Sequence, residues 1–141
     1  MRAAGVPRNI GHMPEETTIN ANARLCGVVL ECPDPLALAT FYSQLTGWPI
    51  VNTDVDWCSI GPNEEARPRL SFQLAPDYRP PHWPDPSSSM QFHLDFMVDD
   101  LVAGEAAALK LGATKFDAQP SPADFLVYAD PVGHPFCLCK H

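Results

Sequence analysis

No stretch of the 141-residue sequence strings together the roughly 20 apolar residues that a helix needs to cross a bilayer. Basic residues are scarce: nine Lys plus Arg stand against 17 Asp plus Glu, a formal net charge of −8. Such a balance repels polyanions, so neither nucleic acid nor an anionic membrane surface is an expected partner. There is no Cys-x-x-Cys pair, and the five cysteines (Cys26, Cys32, Cys58, Cys137 and Cys139) are odd in number. That arithmetic speaks against a closed disulfide framework. Residues 1–23 also lack a hydrophobic stretch and a small-residue cleavage pattern, so free thiols in a reducing, cytoplasmic compartment are expected. Apolar residues are not in short supply; at 45% they exclude wholesale disorder.

What the chain has in quantity is punctuation. Residues 25–32 (LCGVVLEC) read as a strand, stopped by Pro33-Asp34-Pro35. Asp34 is an N-cap residue and Pro35 suits a first helical turn. Leu36, Ala39, Phe41, Tyr42 and Leu45 then follow at helical spacing until Gly47 closes the segment. Short strands are expected over 49–53, 56–60 and 70–75. Residues 76–90 hold five prolines and three serines and cannot form a regular element. The pattern then restarts with a strand over 91–98, an N-cap at Asp99-Asp100, a helix over 101–111 closed by Gly112, and strands at 114–116, 125–129 and 136–139. Gly27 and His93 are 66 positions apart, as are Asp34 and Asp100, which marks a duplicated unit. The expected fold class is α+β: tandem βαβββ modules, the first over 24–75 and the second over 91–140. They are joined by the Pro-rich link 76–90 and preceded by a flexible N-terminal tail over 1–23.

Four segments, PLALATFYSQLTGW (35–48), HLDFMVDDL (93–101), LGA (111–113) and ADPVGHPFCL (129–138), carry a resemblance in their order and spacing. Together they resemble the vicinal oxygen chelate superfamily of glyoxalase I, bleomycin-resistance proteins and extradiol dioxygenases, and in particular its glyoxalase-like subgroup. The resemblance implies sheets curled into a half-barrel with helices outside and ligand inside, and assembly as a homodimer. It also implies a divalent metal held by four strand residues, which by motif fall on Gly27, Gln73, His93 and Cys137. Gly27 has no donor atom and Cys137 stands where the family has an acidic residue. A metal-free cup is therefore expected, with a divalent metal as the alternative.

Side chains alternate between the faces of a strand. Over 91–98, Phe92, Leu94, Phe96 and Val98 form a packing face and leave His93, Asp95 and Met97 toward the cup. Cys26, Val28 and Leu30 are expected to pack, leaving Gly27, Val29 and Glu31 inward. By the same rule Ser71 and Gln73, Cys137 and Cys139, and Trp57 and Ser59 face the cup.

The expected ligand-binding residues are thus Trp57, Ser59, Gln73, His93, Asp95 and Cys137, with His93 and Glu31 as the catalytic pair. His93 could ligate a metal, donate a hydrogen bond or act as a base near neutral pH, or simply be satisfied by Gln73. With Asp95 and Glu31 it would give the donor set of a non-haem iron or manganese centre, and with Asp95 and Gln73 a weaker metal site. Against this, Asp95 could bond a neighbouring backbone and Glu31 could stand in water. Cys137 is either an activated thiol or a small apolar filler. Trp57, Trp83, Tyr78 and Phe125 could line a pocket for an aromatic metabolite, and the link could cover the cup or merely bridge the modules. His134 lies in a turn, and no role is assigned to it. Two readings remain: a cup binding a small aromatic or amphipathic molecule, or a metal-dependent lyase, isomerase or dioxygenase centred on His93.

Overall fold

The computed structural model describes residues 21–140. Of the tail expected over 1–23, all but 21–23 lies outside them, and those three residues are exposed and belong to no helix or strand. The elements run β1 (Gly27–Cys32), α1 (Pro35–Thr46), β2 (Ile50–Thr53), β3 (Trp57–Ile60), β4 (Arg69–Leu74), β5 (Leu94–Val98), α2 (Leu101–Leu111), β6 (Thr114–Lys115), β7 (Phe125–Ala129) and β8 (Pro135–Lys140). This is the expected βαβββ order, twice. The two mixed sheets have strand orders β1-β4-β3-β2 and β5-β8-β7-β6, so the first strand of each module is an edge strand running parallel to the last.

The helices begin and end where capping chemistry places them. The Asp34 carboxylate accepts from the Ala37 amide at 3.1 Å, and that of Asp100 accepts from the Val102 amide at 2.8 Å. Gly47 (φ 77°) and Gly112 (φ 110°) close them in the left-handed region, where a Cβ is strained. One core serves both modules. Tyr42 of α1 stacks on Phe72 of β4 at 5.5 Å and meets Phe136 of β8 edge-on at 6.2 Å, while Phe136 stacks on Tyr128 at 5.6 Å. Rings of this size each bring on the order of 1.5–3 kcal/mol on burial, so this cluster holds the two sheets to the helices. Cys32 and Cys58, both fully buried, fill the same core.

Two expectations about packing are corrected. β5 starts at Leu94, not at residue 91: Gln91 has φ 57° and the Phe92 amide donates to the Met90 carbonyl at 2.7 Å, a tight turn that ladder pairing cannot accommodate. Phe92, expected in the core, is consequently 89% exposed. At the other edge β1 starts at Gly27, so Cys26 is exposed, and Val28, expected to pack, is 37% exposed. Edge strands have no neighbour to cover their ends.

The turn from β7 to β8 is tied to the core by a polar group. Asp130, 3% exposed, accepts from the Tyr42 hydroxyl at 2.7 Å and from His134 Nδ1 at 2.7 Å. Its other oxygen accepts from the Val132 and His134 amides at 2.9 and 3.0 Å. Four donors satisfy a carboxylate that would otherwise be costly to bury.

Candidate functional site

On the first sheet, Cys58, Ile60, Leu70 and Phe72 belong to the core, so alternation turns Trp57, Ser59, Ser71 and Gln73 to the opposite face. Ser59 and Ser71 are register partners with hydroxyls 2.8 Å apart, and the Trp57 indole N–H donates to the Ser59 hydroxyl at 3.0 Å. Both serines are buried, so this chain fixes the indole. Gln73 is exposed at the end of the same face, flanked in register by Glu31 of β1 and Trp57 of β3.

The second sheet gathers a different set. Asp95 of β5 and Cys137 of β8 are register partners, and His93 stands just before β5 with its Nε2 3.2 Å from the Asp95 carboxylate. The partner of His93 is therefore Asp95, not Gln73. One atom from each of His93, Asp95 and Cys137 lies within 4.8 Å of the others, with His93 and Asp95 exposed and Cys137 buried. Glu31 is outside this group. The imidazole–carboxylate pair is half open to solvent, so screening leaves it weak. Burial first, and the neighbouring Asp95 charge second, push the Cys137 thiol up to about 12. A thiol held protonated in this way is not an activated nucleophile.

A cavity of about 1050 Å³ connects the modules. Its walls include Val29 and Glu31 from β1, Tyr78 and Pro80 from the link, and Met90 and His93. Of the aromatic residues expected to line a pocket, Tyr78 does so, whereas Trp83 packs edge-on against Phe116 at 5.1 Å. A separate apolar groove of about 490 Å³ lies along the seam of Val28, Trp48, Leu94 and Phe96.

The donor chemistry decides which metal this arrangement suits. An imidazole is a borderline ligand, a thiolate a soft one and a carboxylate a hard one, a mixed set matched to Zn²⁺ or Fe²⁺ rather than to Mg²⁺ or Ca²⁺, which prefer all-oxygen sites. Three protein donors with the remaining position open are the pattern of a catalytic zinc site. The residues thus fit a divalent transition metal, but with every donor on one module. Of the four positions that the family pattern indicates, Gly27 offers no donor, and Gln73 belongs to the other sheet.

Sequence reasoning passed over His134 and Asp130. Their joint signal was the Asp-x-x-x-His spacing of residues 130–134 in a glycine-containing turn, which brings both side chains to one point. Nothing local indicated that Tyr42, 88 positions away, would join them.

A family model described as a glyoxalase-like domain matches residues 27–139. Among solved structures, the chain is similar to a glyoxalase/bleomycin resistance protein/dioxygenase family enzyme from Burkholderia phytofirmans PsJN, with 18% identity and a TM-score of 0.65 over 84% of this chain and 98% of that one. It is similar also to a glyoxalase-related enzyme from Fulvimarina pelagi, with 19% identity and a TM-score of 0.61 over 84% and 88% of the two chains. A bleomycin-binding protein solved with bleomycin aligns at 21% identity and a TM-score of 0.53 over 84% and 98%. No curated protein sequence matches significantly.

Proposed function

This chain belongs to the glyoxalase-like family of the vicinal oxygen chelate superfamily, and we propose that it binds a small aromatic or amphipathic molecule in the cavity between its modules. The observation that carries this reading is the cavity itself, of about 1050 Å³, which has Val29, Met90 and Phe92 as apolar wall and Glu31 and His93 as polar groups from opposite modules. A concave apolar space with a few converging polar groups is the usual form of a small-molecule site. Glu31 and His93 orient the ligand. We place the protein in the cytoplasm as a homodimer, in keeping with its free thiols and its family.

The test is thermal shift and equilibrium dialysis with untagged protein against a panel of aromatic probes (4-nitrophenol, 4-nitroanisole, vanillin and bleomycin). A saturating ligand at about 100 times its Kd stabilises by roughly 2.7 kcal/mol, a shift of several degrees. Saturable binding that a cavity-filling Val29→Trp variant removes supports the reading, and no saturable binding across the panel overturns it.

A second reading is favoured by the convergence of His93, Asp95 and Cys137. These three would hold a divalent transition metal. Such an ion would polarise a ligand oxygen, while Glu31 stands on the wall of the adjoining cavity as a base. Stoichiometric Zn²⁺ or Fe²⁺ in untagged protein, lost in a His93→Ala variant, supports this reading. Absence of uptake after dialysis against both ions overturns it.

A further inference from the structure

Two polar atoms of cavity-lining residues are buried and have no hydrogen-bond partner among the described residues: Nε2 of His134 and the hydroxyl of Tyr78. Both residues line the cavity, and their rings lie 4.8 Å apart, tilted by 32°. The tautomer of the neutral imidazole follows from its other nitrogen. Nδ1 sits 2.7 Å from the Asp130 carboxylate, which also accepts from the Tyr42 hydroxyl. A carboxylate only accepts, so Nδ1 carries a proton, and in the neutral form of the ring the lone pair is then on Nε2. Burial, with Asp130, Cys32 and Glu31 nearby, holds the Tyr78 hydroxyl protonated well above its usual range, so it is a donor. With the ring neutral, an unused acceptor and an unused donor thus belong to two neighbouring residues of the cavity wall.

Resting on the reading that the cavity takes a small aromatic molecule, we propose that His134, positioned by Asp130, and Tyr78 form a site for an acidic hydroxyl on an sp² carbon, a phenol or enol. A single such oxygen answers both groups, giving its proton toward Nε2 and accepting from the Tyr78 hydroxyl. An alkyl ether or a carbonyl offers no proton to Nε2, and an amine is the weaker acceptor for Tyr78. Proton transfer here is balanced without a co-reactant: the ligand O–H bond breaks, an Nε2–H bond forms, and the electron pair stays on the ligand oxygen. The new imidazolium faces the Asp130 carboxylate through Nδ1 and the phenolate or enolate through Nε2. Pro80 and Pro81 add apolar wall for the ring of such a ligand. Both atoms are buried, so binding here requires a side-chain movement that exposes them to the cavity. Groups from every neighbouring element bear on this point: Tyr42 from α1, Cys32 and Glu31 from β1, Tyr78 from the link, and Asp130 from the β7–β8 turn.

The probe is 4-nitrophenol, whose phenolate absorbs at longer wavelength than the phenol, compared with 4-nitroanisole, which has the same ring and no proton to give. The expected result is binding of 4-nitrophenol at least about tenfold tighter than 4-nitroanisole, a factor one good hydrogen bond supplies. Bound probe should show more phenolate absorption than free probe at the same pH. His134→Asn should abolish the extra phenolate band, and Tyr78→Phe, which keeps the ring and leaves folding intact, should weaken binding about tenfold. In ¹⁵N spectra His134 should move from the Nδ1–H tautomer to imidazolium as the probe saturates, which a purely structural histidine would not do. Equal binding of the two probes without a phenolate band, in both wild type and His134→Asn, overturns this inference and leaves the cavity reading standing. Failure of both probes to bind overturns this inference, and the cavity reading falls with it when vanillin and bleomycin fail to bind as well.

Discussion

Gly27 and His93 hold the same place in the two modules. Each stands one residue before the strand residue, Val28 or Leu94, that pairs across the sheet with Leu70 or Phe136. The equivalence continues along the strands. Val29 pairs with Ser71 as Asp95 pairs with Cys137, so the trio His93–Asp95–Cys137 has Gly27, Val29 and Ser71 as its counterpart. The duplicated scaffold thus carries titratable donors on one side and none on the other. Space at Gly27 is limited as well: a Cβ there would come 3.2 Å from the Arg69 carbonyl oxygen.

The Asp95–Cys137 pairing predicts a shift in thiol reactivity. Asp95→Asn removes the charge that helps hold the Cys137 thiol at about 12, so its midpoint should fall while staying above that of an exposed thiol, because burial is the larger cause. Iodoacetamide labelling of the Cys137 peptide across alkaline pH, read by mass spectrometry, measures it. An unchanged profile would show that the carboxylate does not act on the sulfur.

Stability should fall on the alkaline side. Burial lifts Cys32 from 9.0 to about 11 and Cys137 from 9.0 to about 12. A group whose folded value is raised is fully stabilising below its unfolded value, and that contribution is lost as pH climbs toward the folded value. Between pH 9 and 11 in reducing buffer, Cys32 alone should contribute a loss on the order of 2–3 kcal/mol. Urea unfolding at stepped pH should show the decline, and Cys32→Ala should remove part of the slope.

Tyr42→Phe should destabilise the protein by about 1–3 kcal/mol without disturbing the aromatic cluster. The ring stays, but Asp130, buried at 3% exposure, loses one of its four donors. Chemical denaturation gives the magnitude. A value near zero would mean that water replaces the hydroxyl.

Gly133 sits at φ 101°, and a Cβ there would come 2.5 Å from Cβ of Pro80. Gly133→Ala should therefore cost about 1–3 kcal/mol in strain and push the link away from the β7–β8 turn. Faster hydrogen exchange and proteolysis over residues 76–90 would report that release. Wild-type protection there would show that the turn yields instead.

Much of the fold was legible because its signals are local. Asp34 and Asp100 cap helices by bonding amides two or three residues away, and Gly47 and Gly112 close them through their own backbone. The packing and cup faces came from alternation, which holds inside a strand but not at its edge. Phe92 lies just outside β5, where the left-handed Gln91 breaks the period, and so the pattern assigned it to the wrong environment.

What the sequence determined by itself was the repeated βαβββ frame and the candidates that alternation placed toward the cup, because periodicity and caps act over a few residues. Which candidates meet was decided by register between strands far apart in the chain. Register set Asp95 beside Cys137, left Glu31 outside the cluster, and put the buried hydroxyls of Ser59 and Ser71 to work on Trp57. The union of Tyr42, Asp130 and His134 likewise depends on α1 packing against the second module. A buried carboxylate must find its donors wherever the closed core places them, and no stretch of sequence contains that distance.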